Sequence, residues 1–173
     1  MLIKQSKKNR RVLGVDCGLA SVGWEILEFA GNRYVHIAGG VVETDKNRVT
    51  QMRLREIYET LDKIIKEFKP EDIAIEEIFF FKNNKTVIGV SEARGVIMLA
   101  GSMNNLNVFG YTPLEVKIAV TGYGRSEKKQ VQYMVQRLVN LKELPKSDDW
   151  ADAIAIAICH LNSTNYQDRK NDR

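Results

Sequence analysis

The sequence predicts an α/β fold, a mixed five-stranded sheet built as an antiparallel meander plus parallel strands and flanked by helices. Three observations predict it. The apolar run from Arg11 to Asp16 is followed by two further extended segments, Ser21 to Phe29 and Tyr34 to Glu43, joined by short turns. From Asn47 the apolar period lengthens to three- and four-residue steps through Leu54, Ile57, Leu61, Ile64, Ile65 and Phe68, the stripe of one helix closed by Pro70. Ile73-Ala-Ile-Glu76-Glu77 then forms a second apolar strand that follows a helix and is expected to join the same sheet, parallel to the first.

Each element carries its own argument. A first strand this apolar is buried on both faces, so Asp16 sits where the sheet's interior opens, before the turn at Gly18. Taken singly, an Asp-x-Gly step is most simply turn chemistry. In the second strand Val22, Trp24 and Ile26 alternate with Gly23 and Glu25, and Gly39-Gly40 marks a bulge in the third. Glu76 and Glu77 point to opposite faces, so one of them can serve a site with Asp16, and periodicity leaves open which.

Phe79-Phe80-Phe81-Lys82 sets three aromatics beside positive charge, either core or a stacking surface for unstacked bases. The helix expected over Thr86 to Asn104 is apolar nearly all round, which favours a subunit interface in a domain with little room to enclose it. Asn107 to Tyr111 is the last strand, and Pro113 starts the next helix. Ser126 is the expected N-cap of a helix whose core face is Val131, Met134, Val135, Leu138 and Val139.

The last element is the most informative. Asp148 and Asp149 suit a first helical turn, where acid offsets the helix dipole. Asp152 lies beyond that turn among alanines and isoleucines, where an unpaired carboxylate is costly to bury. Asp149 and Asp152 share one helical face, and something cationic should meet it.

Bulk properties exclude several classes. A chain of 173 residues, 44% hydrophobic, buries a core as one domain. Residues 1–10 read as a basic flexible leader, 11–162 as the folded domain and 163–173 as a polar tail. The formal charge of +4 permits a polyanionic partner without demanding one. Cys17 and Cys159 form no CxxC pair and read as reduced thiols of a cytoplasmic protein. No run is long enough for a membrane span. His36 and His160 read as packing or surface residues.

Asp16, one of Glu76 and Glu77, Asp149 and Asp152 thus stand together, with no Ser, Cys or His constellation in competition. Hard oxygen donors without soft ones select magnesium or manganese over zinc. Two such ions, about 3.5 to 4 Å apart, are the arrangement that hydrolyses phosphodiesters.

The ordered set of Leu-Gly-Val-Asp16-x-Gly, Ala-Ile-Glu76-x-Ile-Phe79, Lys82-Asn83, Glu92-Ala-Arg94-Gly95, Val116-Lys117, Gly122-x-Gly124, Glu127-Lys128 and Asp149-x-x-Asp152-Ala-Ile-Ala-Ile-Ala resembles the RuvC family of Holliday junction resolvases. The resemblance runs from about Val12 to His160. It implies a ribonuclease H-like fold and a magnesium-dependent crossover junction endodeoxyribonuclease with two Mg2+ per active site, for which Mn2+ substitutes. Asp16, Glu76, Asp149 and Asp152 match the family's metal-binding catalytic acids, so Glu76 is chosen over Glu77 by resemblance. Phe79 matches the aromatic that stacks on bases near the crossover, and Lys117 and Lys128 match basic residues that meet the DNA backbone; Lys82, beside the aromatics, is a further expected DNA-binding residue.

The resemblance further implies a homodimer through the apolar helix, paired symmetric nicks in four-way junction DNA during recombination and repair, and a branch-migration helicase complex of the RuvA and RuvB type as partner. Three features depart from the family. Cys17 replaces a usual proline, which points to a looser turn or oxidation sensitivity; the basic leader is long; and Phe80 and Phe81 enlarge the stacking segment. Competing expectations are a non-catalytic junction-binding protein, which has no use for Asp152, and a ribonuclease H-like nuclease acting on other nucleic acid. A sugar-kinase-type phosphotransferase requires two such domains, and this chain has room for one.

Overall fold

The computed structural model describes residues 9–78 and 84–171. Strands β1 (Arg10–Asp16), β2 (Ser21–Ala30) and β3 (Arg33–Glu43) form the antiparallel meander. Helix α1 (Thr50–Phe68) leads to β4 (Asp72–Glu76), which pairs parallel to β1. Helix α2 (Asn84–Met103) leads to β5 (Asn107–Tyr111), parallel to β4. Then follow α3 (Pro113–Thr121), α4 (Lys128–Leu138) and α5 (Asp148–Asn171). The strand order is β3-β2-β1-β4-β5, the mixed five-stranded sheet expected.

The pleat divides the core in two. Leu13, Val15, Val22, Ile26, Ile73 and Ile75 pack against α1 and α2 on one face. Val12, Leu27 and Ala74 face the other way, under α5, against which α3 and α4 pack in turn. Asp16 continues the parity of Val12, and Glu76 that of Ala74, so both acids are delivered to the α5 side at neighbouring strand ends, where Gly14 pairs with Ala74. Gly14 is needed because a Cβ there would lie 2.3 Å from the carbonyl oxygen of Ala153, which is how closely α5 lies on the sheet.

Two sequence expectations are corrected. The irregularity of β3 is not at Gly39-Gly40: Ile26 pairs with Ala38 and Leu27 with His36, so Ile37 is the extra residue. Gly39 is small because Glu25 and Trp150 occupy the space a side chain would need. Ser126 does not cap α4 either. Glu127 is the N-cap, in a capping box with Gln130, while Ser126 is buried and donates to the carbonyl of Tyr123. The expectation for Pro113 holds, with Thr112 as cap and Glu115 completing its box.

Helix α2 buries Ala93, Ile97 and Ala100 and exposes Ile88, Met98, Leu99 and Met103. An all-apolar pattern is thereby resolved into one face on the core and one open to solvent. Helix α5 continues past residue 162 to Asn171. No helix among the described residues is long and apolar enough to cross a membrane.

Candidate active site

The acids meet where β1 and β4 end beneath the first turns of α5. Burial, followed by the charges of Asp152, Glu76 and Asp149, pushes the Asp16 carboxyl up to about 7. Burial and then Asp152 hold Glu76 above the usual carboxylate range, with Lys117 and Lys128 opposing. Asp152 is raised by burial, against the pull of Lys128. Asp16, Glu76 and Asp152 therefore share one field of negative charge. Among the described residues no three acids, histidines or cysteines converge at metal-ligand spacing.

Asp149 stands slightly apart, its Oδ2 accepting a 2.5 Å hydrogen bond from Ser21 Oγ. Asp16 lines two adjoining clefts. One, of about 350 Å3, includes Glu76 and Pro113. The other, of about 390 Å3, includes Ser21, Arg53 and Asp149. Arg53 is fixed at that rim by its Nε donating to Thr44 Oγ1, which in turn donates to the carbonyl of Leu19 in the β1–β2 turn.

Cations stand at the opposite side. Lys128 Nζ lies 3.1 Å from Asp148 and 3.2 Å from Asp152, and Gln132 steadies Asp148 with a 2.7 Å bond. Lys117, on α3, is near enough for its charge to favour ionised Glu76. Phe79 and Lys82, with Phe80 and Phe81, lie outside the described residues.

Periodicity could not separate Glu76 from Glu77. In the fold the parity of β4 aims Glu76 at Asp16 and Asp152, while Glu77 is exposed beside Gly110. Burial, with Asp16 beside it, pushes the Cys17 thiol up to about 12, which disfavours the reactive thiolate. His36 and His160 are both structural. His160 is buried between the Tyr111 hydroxyl and Asp72, and His36 bonds Glu25. Ser21 and Arg53 were missed because their roles depend on pairing and turn geometry that carry no local pattern.

The model of the family described as crossover junction endodeoxyribonuclease RuvC matches residues 12–160, a span that holds all four acids. The chain belongs to the RuvC family. It is 55% identical over 153 residues to a RuvC crossover junction endodeoxyribonuclease of Fusobacterium nucleatum, covering 88% of this chain and 80% of that one. Its identity to the RuvC of Caldanaerobacter subterraneus is 49% over 159 residues, covering 92% and 96%. Among solved structures, Thermus thermophilus RuvC in complex with a Holliday junction substrate superposes with a TM-score of 0.88 at 30% identity, covering 91% of this chain and 96% of that chain. The ribonuclease H-like resolvase fold is thus shared through the whole sheet and its helices.

Proposed function

We propose that this RuvC-family endodeoxyribonuclease resolves four-way junction DNA by paired symmetric nicks, with Asp16, Glu76, Asp149 and Asp152 as the acids that hold its divalent cations. The observation that carries this reading is the convergence of Asp16, Glu76 and Asp152 at one strand-end cleft, where burial first and neighbouring acids second hold all three carboxyls above the usual range against the pull of Lys117 and Lys128. The donor set fits: every ligand is a hard carboxylate oxygen, suited to Mg2+ or Mn2+. Two such ions, when bound, supply an activated water and neutralise charge on the phosphate and the leaving oxygen.

The protein's own groups do the positioning. Asp16 and Glu76, on paired parallel strands, fix one wall, and the first turns of α5 bring Asp149 and Asp152 to the other. Ser21 orients Asp149. Lys117 and Lys128 are suited to steer the DNA backbone toward these acids, with Lys82 assisting and Phe79 stacking on bases at the crossover. A homodimer through the exposed apolar face of α2 would present two such sites to two symmetry-related strands. A branch-migration complex of the RuvA and RuvB type and a role in recombination and repair complete the reading.

The test is Mg2+-dependent cleavage of a synthetic four-way junction beside linear duplex and single-strand controls. Paired, religatable nicks confined to the junction are expected. Asp152→Asn should bind the junction nearly as well as the unmodified protein and leave it uncut; strong residual cutting would sink the metal assignment. Phe79→Ala should slow resolution without a matching fall in Tm.

A further inference from the structure

The proposed function leaves one buried charge without a task. Glu25 has no exposed surface and lies on the inner face of β2, below the first turn of α5. Its Oε2 accepts from Trp150 Nε1 at 2.9 Å, and its Oε1 bonds Nδ1 of His36 at 2.7 Å. Withdrawing a carboxylate from water costs several kcal/mol, and an apolar pair of similar volume often holds two elements together as well or better. What the polar trio adds is direction. The surrounding backbone is shaped to admit it. The extra residue Ile37 reverses the parity of β3, so that His36 reaches Glu25. At Gly39, paired with Glu25, a Cβ would lie 2.1 Å from Glu25 Oε2 and 2.2 Å from Trp150 Nε1.

Trp150 stands between Asp149 and Asp152. Strand β2 meets this turn of α5 at three successive inward positions. Ser21 binds the Asp149 carboxylate, Gly23 admits the Asp149 carbonyl so closely that a Cβ would be 1.9 Å from it, and Glu25 holds the indole. The first two contacts both act on Asp149. The third acts through a long side chain, and so resists rotation of the helix about its own axis.

We propose that Glu25, held by His36, is a positioning residue: through Trp150 it sets the rotation of α5 and hence the placement of Asp149 and Asp152 against Asp16 and Glu76. This inference rests on the reading of those acids as metal ligands. Groups that orient ligands in this way commonly change metal affinity or activity by about 10- to 100-fold when removed.

The experiment measures Mn2+ affinity without DNA, from the free-ion electron paramagnetic resonance signal, alongside cleavage rate and Tm. Trp150→Phe keeps an aromatic side chain, smaller than the indole, and loses the N–H. It should lose about tenfold in Mn2+ affinity and in rate at saturating junction, with KM for the junction unchanged. Glu25→Gln, whose amide oxygen still accepts from the indole, should retain both. Ile57→Val, a core change on the opposite face of the sheet, should lower Tm and leave Mn2+ affinity alone. Unchanged Mn2+ affinity in Trp150→Phe, or a loss that merely tracks Tm across Trp150→Phe and Ile57→Val, would overturn the positioning role. Asp152→Asn separates the two readings. If it binds Mn2+ as the unmodified protein does, the metal assignment falls and takes this inference with it. If it loses Mn2+ while Trp150→Phe does not, the metal site stands and the role of Glu25 alone is refuted.

Discussion

Asp16 and Glu25 are carboxylates on neighbouring strands, both facing α5 and both raised above the usual carboxylate range, chiefly by burial. Their surroundings differ in sign. Glu25 accepts from the Trp150 N–H and is bonded to the His36 ring, so both of its oxygens have partners in the fold. Asp16 meets Asp152, Glu76 and Asp149, with Lys128 as the opposing charge. Burial alone therefore does not mark a reactive centre in this protein. What sets the candidate centre apart is a buried charge whose neighbours share its sign, because folding then leaves an imbalance that a cation can cancel.

The largest expected effects come from exchanging the two. Asp16→Asn should reduce cleavage to background and yet stabilise the protein when EDTA is present. The folded-state value of Asp16, about 7, lies above 3.8, so the folded protein binds more protons between these values and loses stability as pH rises through them. The gain from Asp16→Asn should accordingly grow from about pH 4 and level off above about pH 7 in thermal melts. Glu25→Leu should instead destabilise the protein, costing about 2–3 kcal/mol in denaturant unfolding because it strands the Trp150 N–H and the His36 ring.

The two histidines sharpen the contrast at intermediate size. His36 is raised, mainly by its bond to Glu25, so its contribution is fully present below 6.5 and is lost as pH climbs through the raised value. His160 is lowered, mainly by burial, so its contribution is present above 6.5 and is lost as pH falls toward the depressed value. Unfolding free energies across about pH 5 to 8 should therefore lose their alkaline slope in His36→Asn and their acid slope in His160→Asn. A common slope change in both variants would refute the opposed assignment.

Lys128→Gln should produce the smallest change in stability, because its ion pairs are half exposed and fade with salt. Its effect belongs to DNA: the salt dependence of junction binding should become shallower by about one unit of slope, as for loss of one phosphate contact.

The parts of this molecule legible in its sequence are those where a local pattern breaks. Asp16, Glu76 and Asp152 end or interrupt apolar runs, and the meander, the α1 stripe and β5 follow from period and turns. The choice of Glu76 over Glu77 was not available from the strand itself, because it depends on the register that sets Gly14 beside Ala74. Glu25 was missed for a related reason. Alternation in β2 makes Gly23 and Glu25 look like a solvent face, whereas α5 covers them; the glycine at 23 was the available sign of a close neighbour. The bulge was misplaced because glycine in a strand marks either an extra residue or a tight approach, and at Gly39 it is the latter.

Helix α5 lies across strands made long before it, and this order has a consequence during synthesis. Until residues 148–161 leave the ribosome, the sheet face formed by Val12, Leu27 and Ala74 has no α5 to cover it, and the acids of β1 and β4 have no counterparts. The growing chain is then at its stickiest, and on the proposed assignment it lacks half of its metal-holding acids. With the acids in the roles proposed above, burial of that face and assembly of the metal-binding centre are one event, the docking of a single helix, so a chaperone that shields the nascent sheet would also defer nuclease activity until the fold is closed.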